Sequence, residues 1–362
     1  MQPKVIAFYL PQFHAIPEND EWWGKGFTDW VNVKKAQPLF SGHNQPRTPL
    51  KGYYDLTDAE TLRWQAGLAE KYNVSGFCFY HYWFAGKLLL EKPAEILLEH
   101  TDINMPFCFS WANEPWARTW DGKAKQVLMP QDYGNESDWK DHFNYLLPFF
   151  KDSRYIKVNG KPMFLIYKTR SIPHCAEMMN MWIELAKENG LDGIHFVQTI
   201  RENQLDTRNL PFSANAEFEP ARSIRLQGAC TLQAQRVRRM IIRTFNKITG
   251  KQCLTNAIIP FSKIAGISLS TDSPEGTYAG IFAGWDNSAR RNTDATIILP
   301  PTKNEFADYL REKIKQTQNK YHTNFIFVNA WNEWAEGTYL EPDTLNQYMF
   351  LETINEVLRE FE

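Results

Sequence analysis

The stretch Phe325–Asp343, "FIFVNAWNEWAEGTYLEPD", governs how the rest of the chain is read. Phe325–Trp331 is a nearly continuous apolar run, the form a strand takes when both of its faces are buried. The next residues abruptly bring in Glu333, Glu336 and Glu341 among tryptophan, tyrosine, glycine and proline. A core strand that ends in carboxylates and indoles suits the C-terminal rim of a parallel barrel, where chemistry is placed. Seven further runs share the apolar character: Val5–Leu10, Val74–Tyr82, Pro106–Glu114, Pro162–Lys168, Gly193–Thr199, Phe212–Phe218 and Tyr278–Asp286.

Helical patterns lie between most of them, over Thr57–Tyr72, Ser137–Phe150, His174–Asn189, Lys303–Lys320 and Met349–Phe361. The first opens on "TDAE", a Thr-x-x-Glu capping box. Leu232–Ile248 reads as a basic amphipathic helix with a solvated outer face, in preference to a membrane or partner role. Strands alternating with helices imply a parallel sheet. Eight such units imply an α/β chain folded as a (β/α)8 TIM barrel with long βα loops. An open doubly wound sheet would more often carry a Gly-rich phosphate turn after its first strand, where this chain has "LPQFH". A barrel typically needs about 250 residues. The surplus falls after strands one, three and six, and residues 1–362 read as one catalytic domain.

Composition narrows the function. The net charge of −2 and pI near 6.5 give no global invitation to nucleic acid or anionic lipid. The five cysteines form no C-x-x-C pair, and Cys78 and Cys108 sit in apolar runs as inert thiols. The reading is of a reducing compartment, with no metal and no cofactor. "MQPKVIAFYL" is too short and too weakly punctuated for a signal peptide, and no stretch reaches membrane-spanning length. The expected setting is cytoplasmic, with the oligomeric state left open.

The strand ends carry the chemistry. Strand one ends in Tyr9, Gln12 and His14, strand two in Tyr80, His81, Tyr82 and Trp83, and strand four in Tyr167 and Lys168. Strand three ends in Trp111, Asn113 and Glu114, followed by Trp116, Arg118 and Trp120. Strand six ends in Glu217 and Glu219, strand seven in Asp286, and strand eight in Glu333, Trp334 and Glu336. Sugars offer hydroxyls to such carboxylates and amides, and apolar C–H faces to tryptophan and tyrosine. Glycoside cleavage generally uses two carboxyl groups flanking the bond. In a helical turn the i, i+3 spacing would put Glu333 and Glu336 on one face, and crowding would separate their pKa values. Glu341 and Glu219, each taken alone, read as caps or ion-pair partners, and Trp22, Trp23 and Trp30 as pins for the long first loop. The two carboxylates are expected to share an open cleft with Trp111, His81 and Tyr9.

The stretches "YLPQFHAIPENDEWWGKGFTDW", "GFCFYHYWFAGKLLLEKP", "FCFSWANEPWARTWDG", "GWDNSARR" and "NAWNEWAEGTYLEPD" together resemble the WbsX-type family, named as glycosyltransferases of O-antigen or capsule loci. That family is related to glycoside hydrolase family 99, the endo-α-mannosidases and endo-α-mannanases, which are (β/α)8 barrels. The resemblance implies that Glu333 takes a proton from a sugar 2-hydroxyl, which closes onto the anomeric carbon as a 1,2-anhydro sugar. Glu336 would then serve as general acid and base, with net retention. Tyr9, His14, Tyr80, His81, Trp83, Trp111, Asn113, Glu114, Trp116, Arg118, Trp120, Asp286 and Trp334 are the expected substrate contacts. The substrate is an oligosaccharide or polysaccharide, lipid-linked glycans included, of α-manno or similar configuration. A sugar-nucleotide transferase and a non-catalytic glycan-binding barrel are the alternatives. No Asp-x-Asp motif supports the former, and the carboxylate pair argues against the latter.

Overall fold

The structure, a computed structural model, describes residues 2–117, 127–202 and 205–362. Eight parallel strands run round a barrel: β1 (Lys4–Tyr9), β2 (Val74–Phe84), β3 (Phe107–Trp111), β4 (Lys161–Ile166), β5 (His195–Ile200), β6 (Ala214–Glu217), β7 (Thr277–Phe282) and β8 (Phe325–Asn329). Ala7 of β1 lies opposite Phe77 of β2 on one side and Val328 of β8 on the other, which closes the ring. The expected (β/α)8 barrel is what forms. Its main helices are α1 (Ala59–Lys71), α2 (Lys92–Glu99), α3 (Glu136–Lys151), α4 (Cys175–Glu188), α5 (Ala229–Thr249), α6 (Phe261–Ser270), α7 (Lys303–Asn319) and α8 (Met349–Arg359).

The pleat sorts each strand into an inner and an outer row. Phe8 points inward, stacking on Tyr80 at 5.7 Å and meeting Phe218 and Phe327 at 5.2 and 5.4 Å between ring centres. Burying a side chain of this size contributes about 1.5–3 kcal/mol. Tyr9, one residue on, points outward beneath α1 and packs on Phe79 at 4.3 Å. Cys78 and Cys108 face each other across β2 and β3 as buried free thiols.

Three local expectations are revised. Thr57 spends its N–H and hydroxyl on the Asp55 carboxylate, so Asp58 caps α1 by accepting from Glu60 N–H, and "TDAE" forms no capping box. A capping box instead opens α7, between Thr302 and Glu305. Secondly, the solvated outer face expected of α5 is present but is not confined to its basic residues. None of its described side chains is buried, and its apolar face is turned to solvent. Lastly, besides the long segments after β1, β3 and β6, there is one after β7, residues 283–302. It contains the short helix Ser288–Arg291 and an antiparallel pairing of Trp285–Asp286 with Ile297–Ile298. Among the described residues no helix is long and apolar enough to cross a membrane.

Candidate active site

The site is built where β8 ends. The Asn332 side chain accepts from Leu10 N–H at 2.7 Å and donates to Leu10 C=O at 3.0 Å, fixing the segment after β8 to the end of β1. Asn332–Glu333 then pairs antiparallel with Thr338–Tyr339, and Trp334–Glu336 forms one 3-10 turn between them. Gly337 ends the turn at φ 61°, and a Cβ there would fall 2.7 Å from the Arg47 guanidinium. Only glycine meets both demands without strain.

This turn brings Glu333 and Glu336 to a single guanidinium. Arg290 Nη2 lies 3.2 Å from Glu333 Oε1, and Nη1 lies 2.9 Å from Glu336 Oε1. Arg290 also pairs with Asp29, from the segment after β1. Glu333 Oε1 accepts no directed hydrogen bond, so the guanidinium holds it by charge. Among the described residues no three His, Cys, Asp or Glu side chains converge as a metal-binding group.

The two carboxylates have different surroundings. The Glu333 side chain is 9% exposed and that of Glu336 27%. Burial pushes the Glu333 pKa well above the usual carboxylate value. Arg290 opposes the rise, while the charges of Glu336 and Asp29 add to it. Tyr80, Tyr82 and Tyr167 complete the surroundings. Their phenols are raised chiefly by burial, with Glu333 contributing at Tyr80 and Tyr82 and Glu336 at Tyr167. They are therefore neutral hydroxyl donors. Gln12 Nε2 donates to Tyr82 Oη at 3.3 Å, and Trp116 meets the Tyr82 ring edge-on at 5.2 Å. Farther along the rim Glu114 pairs with Arg201 at 3.0 Å and Lys168 at 3.4 Å, and Arg201 covers the Tyr167 ring at 4.1 Å.

Of the residues expected from sequence, Glu333, Glu336 and Tyr80 come together, with Trp116 and Glu114 on the same rim. The expected cleft with Trp111, His81 and Tyr9 does not form, because the pleat turns all three toward the helices. Tyr9 Oη donates to Gln65 Oε1 of α1 at 2.6 Å. His81 Nε2 pairs with His142 Nε2 of α3 at 2.8 Å, and burial pushes the His81 pKa down to about 3. Trp83 stacks on His142 at 4.5 Å, and Trp111 Nε1 donates to Trp83 C=O at 3.3 Å. Asn113 bridges to the Lys168 backbone, donating to its carbonyl and accepting from its N–H. His14 is buried, and its burial lowers its pKa. Asp286 accepts from Gln45 and Arg47 and pairs with His43, tying the segment after β1 to that after β7. These partners outweigh burial and hold its pKa below the usual carboxylate range. Trp334 is buried, stacks on Tyr339 at 3.8 Å and donates to Glu341. Arg118 and Trp120 lie outside the described residues.

Glu217, Glu219 and Glu341 are not in the cluster around Arg290. Glu217 is fully buried with Lys313 and Arg222, each at 2.7 Å, and Glu219 bonds Ser223. Glu341 accepts from Tyr54, Gln65, Trp331 and Trp334, and burial pushes its pKa up to about 7 against those four donors. Sequence reading passed over Arg290 and Asp29, and it placed Tyr82 and Tyr167 at strand ends without counting them among the substrate contacts. Arg290 stood inside "GWDNSARR", and Tyr82 shares its strand face with Tyr80, a period-two signal that was there to use.

The comparisons with known proteins agree with this architecture. The family model described as Glycosyltransferase WbsX matches residues 5–354. The WxcX protein of Xanthomonas campestris pv. campestris is 36% identical over 363 residues, covering 98% of this chain and 49% of its own length. The chain thus spans about half the length of the curated relatives it matches. The GH99 endo-alpha-mannosidase from Bacteroides thetaiotaomicron superposes with a TM-score of 0.57 at 15% identity, covering 99% of this chain and 97% of its own. A glycoside hydrolase-like protein gives 0.61 at 12% identity, covering 99% and 94%. At such identities these two likenesses speak for the barrel alone, whereas the family model runs nearly end to end: the chain belongs to the WbsX glycosyltransferase family.

Proposed function

We propose that this carbohydrate-active chain breaks or transfers a glycosidic bond with Glu333 and Glu336. The observation that carries the reading is the shared guanidinium: two carboxylates of one turn, one buried and one open, both held by Arg290. The buried Glu333 is the base. Its raised pKa makes it a stronger proton acceptor, and Arg290 favours the ionised form that can act. It takes the proton of a sugar 2-hydroxyl, and that oxygen bonds to the anomeric carbon. The bond to the leaving oxygen breaks, and its electron pair takes the proton of the more exposed Glu336. The Glu336 carboxylate then removes a proton from water or an acceptor hydroxyl, which opens the anhydro ring at the anomeric carbon. Glu333 returns its proton to O2, and configuration is retained overall. The route requires a 2-hydroxyl trans to the leaving group, as in α-mannosides. The endo-α-mannosidase activity of a structural neighbour favours that class.

Transfer from a sugar nucleotide is the second reading, favoured by the family's description. Incubation with α-manno-configured oligosaccharides, with and without sugar nucleotides, separates the two by product mass. Nucleotide-free release supports cleavage, and extension that needs the nucleotide supports the transferase. Glu336→Gln should abolish turnover of natural leaving groups while glycan binding persists. Unchanged turnover in that variant would remove Glu336 from the chemistry.

A further inference from the structure

The helix α5 is built inside out. Its body-facing side is largely polar, with only Leu232 and Ile242 half-buried among it: Arg239 Nε donates to Asn256 Oδ1 at 3.1 Å, and Asn246 makes two bonds to the Cys253 backbone at 2.8 and 3.0 Å. The opposite side presents Val237, Met240, Ile241, Phe245 and Ile248, all exposed, with Met240 at 65% and Ile248 at 78%. Their spacing of three and four residues makes one continuous apolar ridge on a 3.6-residue helix. Arg236, Arg243 and Lys247 lie along one flank of that ridge and Arg238 along the other, and Ala229–Thr249 contains no acidic residue. Arg243 is paired with Asp294 and remains half exposed.

An apolar ridge between basic flanks is the pattern of a helix that lies in the surface plane of a bilayer, with the cationic heads reaching the phosphates and the apolar side chains below them. We propose that α5 docks this chain on an anionic lipid surface. A second copy is a poorer occupant, because a two-fold pairing of ridge on ridge would set basic flank against basic flank. The segment from β6 to α6 leaves the C-terminal end of β6, and α5 pairs through Arg243 with Asp294 of the segment after β7, the segment that also carries Arg290.

Vesicle co-sedimentation of the full chain tests this. We expect binding at least ~10-fold tighter to phosphatidylcholine vesicles containing phosphatidylglycerol than to phosphatidylcholine alone, weakening as salt rises. Ile241→Ser with Ile248→Ser should lower the binding ~10-fold or more, since both side chains leave water on docking. Arg236→Gln with Lys247→Gln should reduce the anionic preference. All four positions are exposed, so circular dichroism should match the parent. Glu336→Gln should keep full vesicle binding, which separates failure of this inference from failure of the catalytic reading. The inference is overturned if the parent ignores anionic vesicles or if the double serine variant binds as well as the parent. A lipid-free dimer that the serine substitutions break would assign the ridge to a second copy instead.

Discussion

At Arg290 one guanidinium serves three carboxylates, those of Asp29, Glu333 and Glu336. Three negative charges against one positive leave two in excess, and burial together with the charges of Glu336 and Asp29 raises the Glu333 pKa against the pull of Arg290. A base must be ionised to act. The acid limb of kcat/KM is therefore expected above the ordinary glutamate value of about 4.3, with activity rising as pH rises through it. Arg290→Gln removes the charge that opposes the shift and should move that limb upward by ~1 pH unit or more, with a lower plateau. An acid limb that stays put in Arg290→Gln would detach Arg290 from Glu333. Glu341 gives a stability counterpart. Each of its oxygens accepts one indole N–H, from Trp331 at Oε1 and Trp334 at Oε2. In Glu341→Gln either amide orientation sets an NH2 against an indole donor, and we expect a loss of ~2–4 kcal/mol in urea unfolding without any new charge.

Among the elements, the strands show what was legible in the sequence and what was not. Apolar runs bounded by helical patterns revealed all eight barrel strands, because a strand buried on both faces has few polar positions to confuse it. The same property hid the facing of individual side chains: Tyr80, His81, Tyr82 and Trp83 are all compatible with burial, and only the pleat decides that the tyrosines point in. Glu333 and Glu336 were legible because a turn crowded with carboxylates has few structural reasons to exist. Arg290 was not, since nothing local shows that a residue after β7 will meet a turn after β8. The cluster under β6 was hidden for the same reason. Burial alone would raise the Glu217 pKa, but Lys313 and Arg222 outweigh it and hold it below the usual value. A carboxylate so depressed contributes stability above its unfolded pKa and loses it as pH falls through the folded value. Lys313→Met, in α7, leaves Glu217 short of a cation in a fully buried place and should cost about 3–5 kcal/mol by chemical denaturation. A near-neutral result would mean that Arg222 suffices, together with the Ser273 and Tyr321 hydroxyls that also donate to Glu217.

For the molecule as a whole, the bonds that matter most to the site are among those that span the most sequence. Asn332 holds both backbone groups of Leu10 across 322 residues. Asn332→Ala would strand a buried N–H and a buried C=O. A loss of ~2–4 kcal/mol is expected, with a larger fall in kcat than in the binding of intact glycan. Equal falls would point to general loosening rather than to the turn. The pairing of β1 with β8 has a further consequence, in time rather than in space. During synthesis β1 emerges first and must wait for β8, so its open edge stays unpaired while most of the barrel is made. A barrel sealed by such a late, long-range contact forms slowly and passes through open-edged intermediates. The carboxylate turn sits just beyond the sealing strand, so the pair proposed for the chemistry is assembled only when the ring is complete.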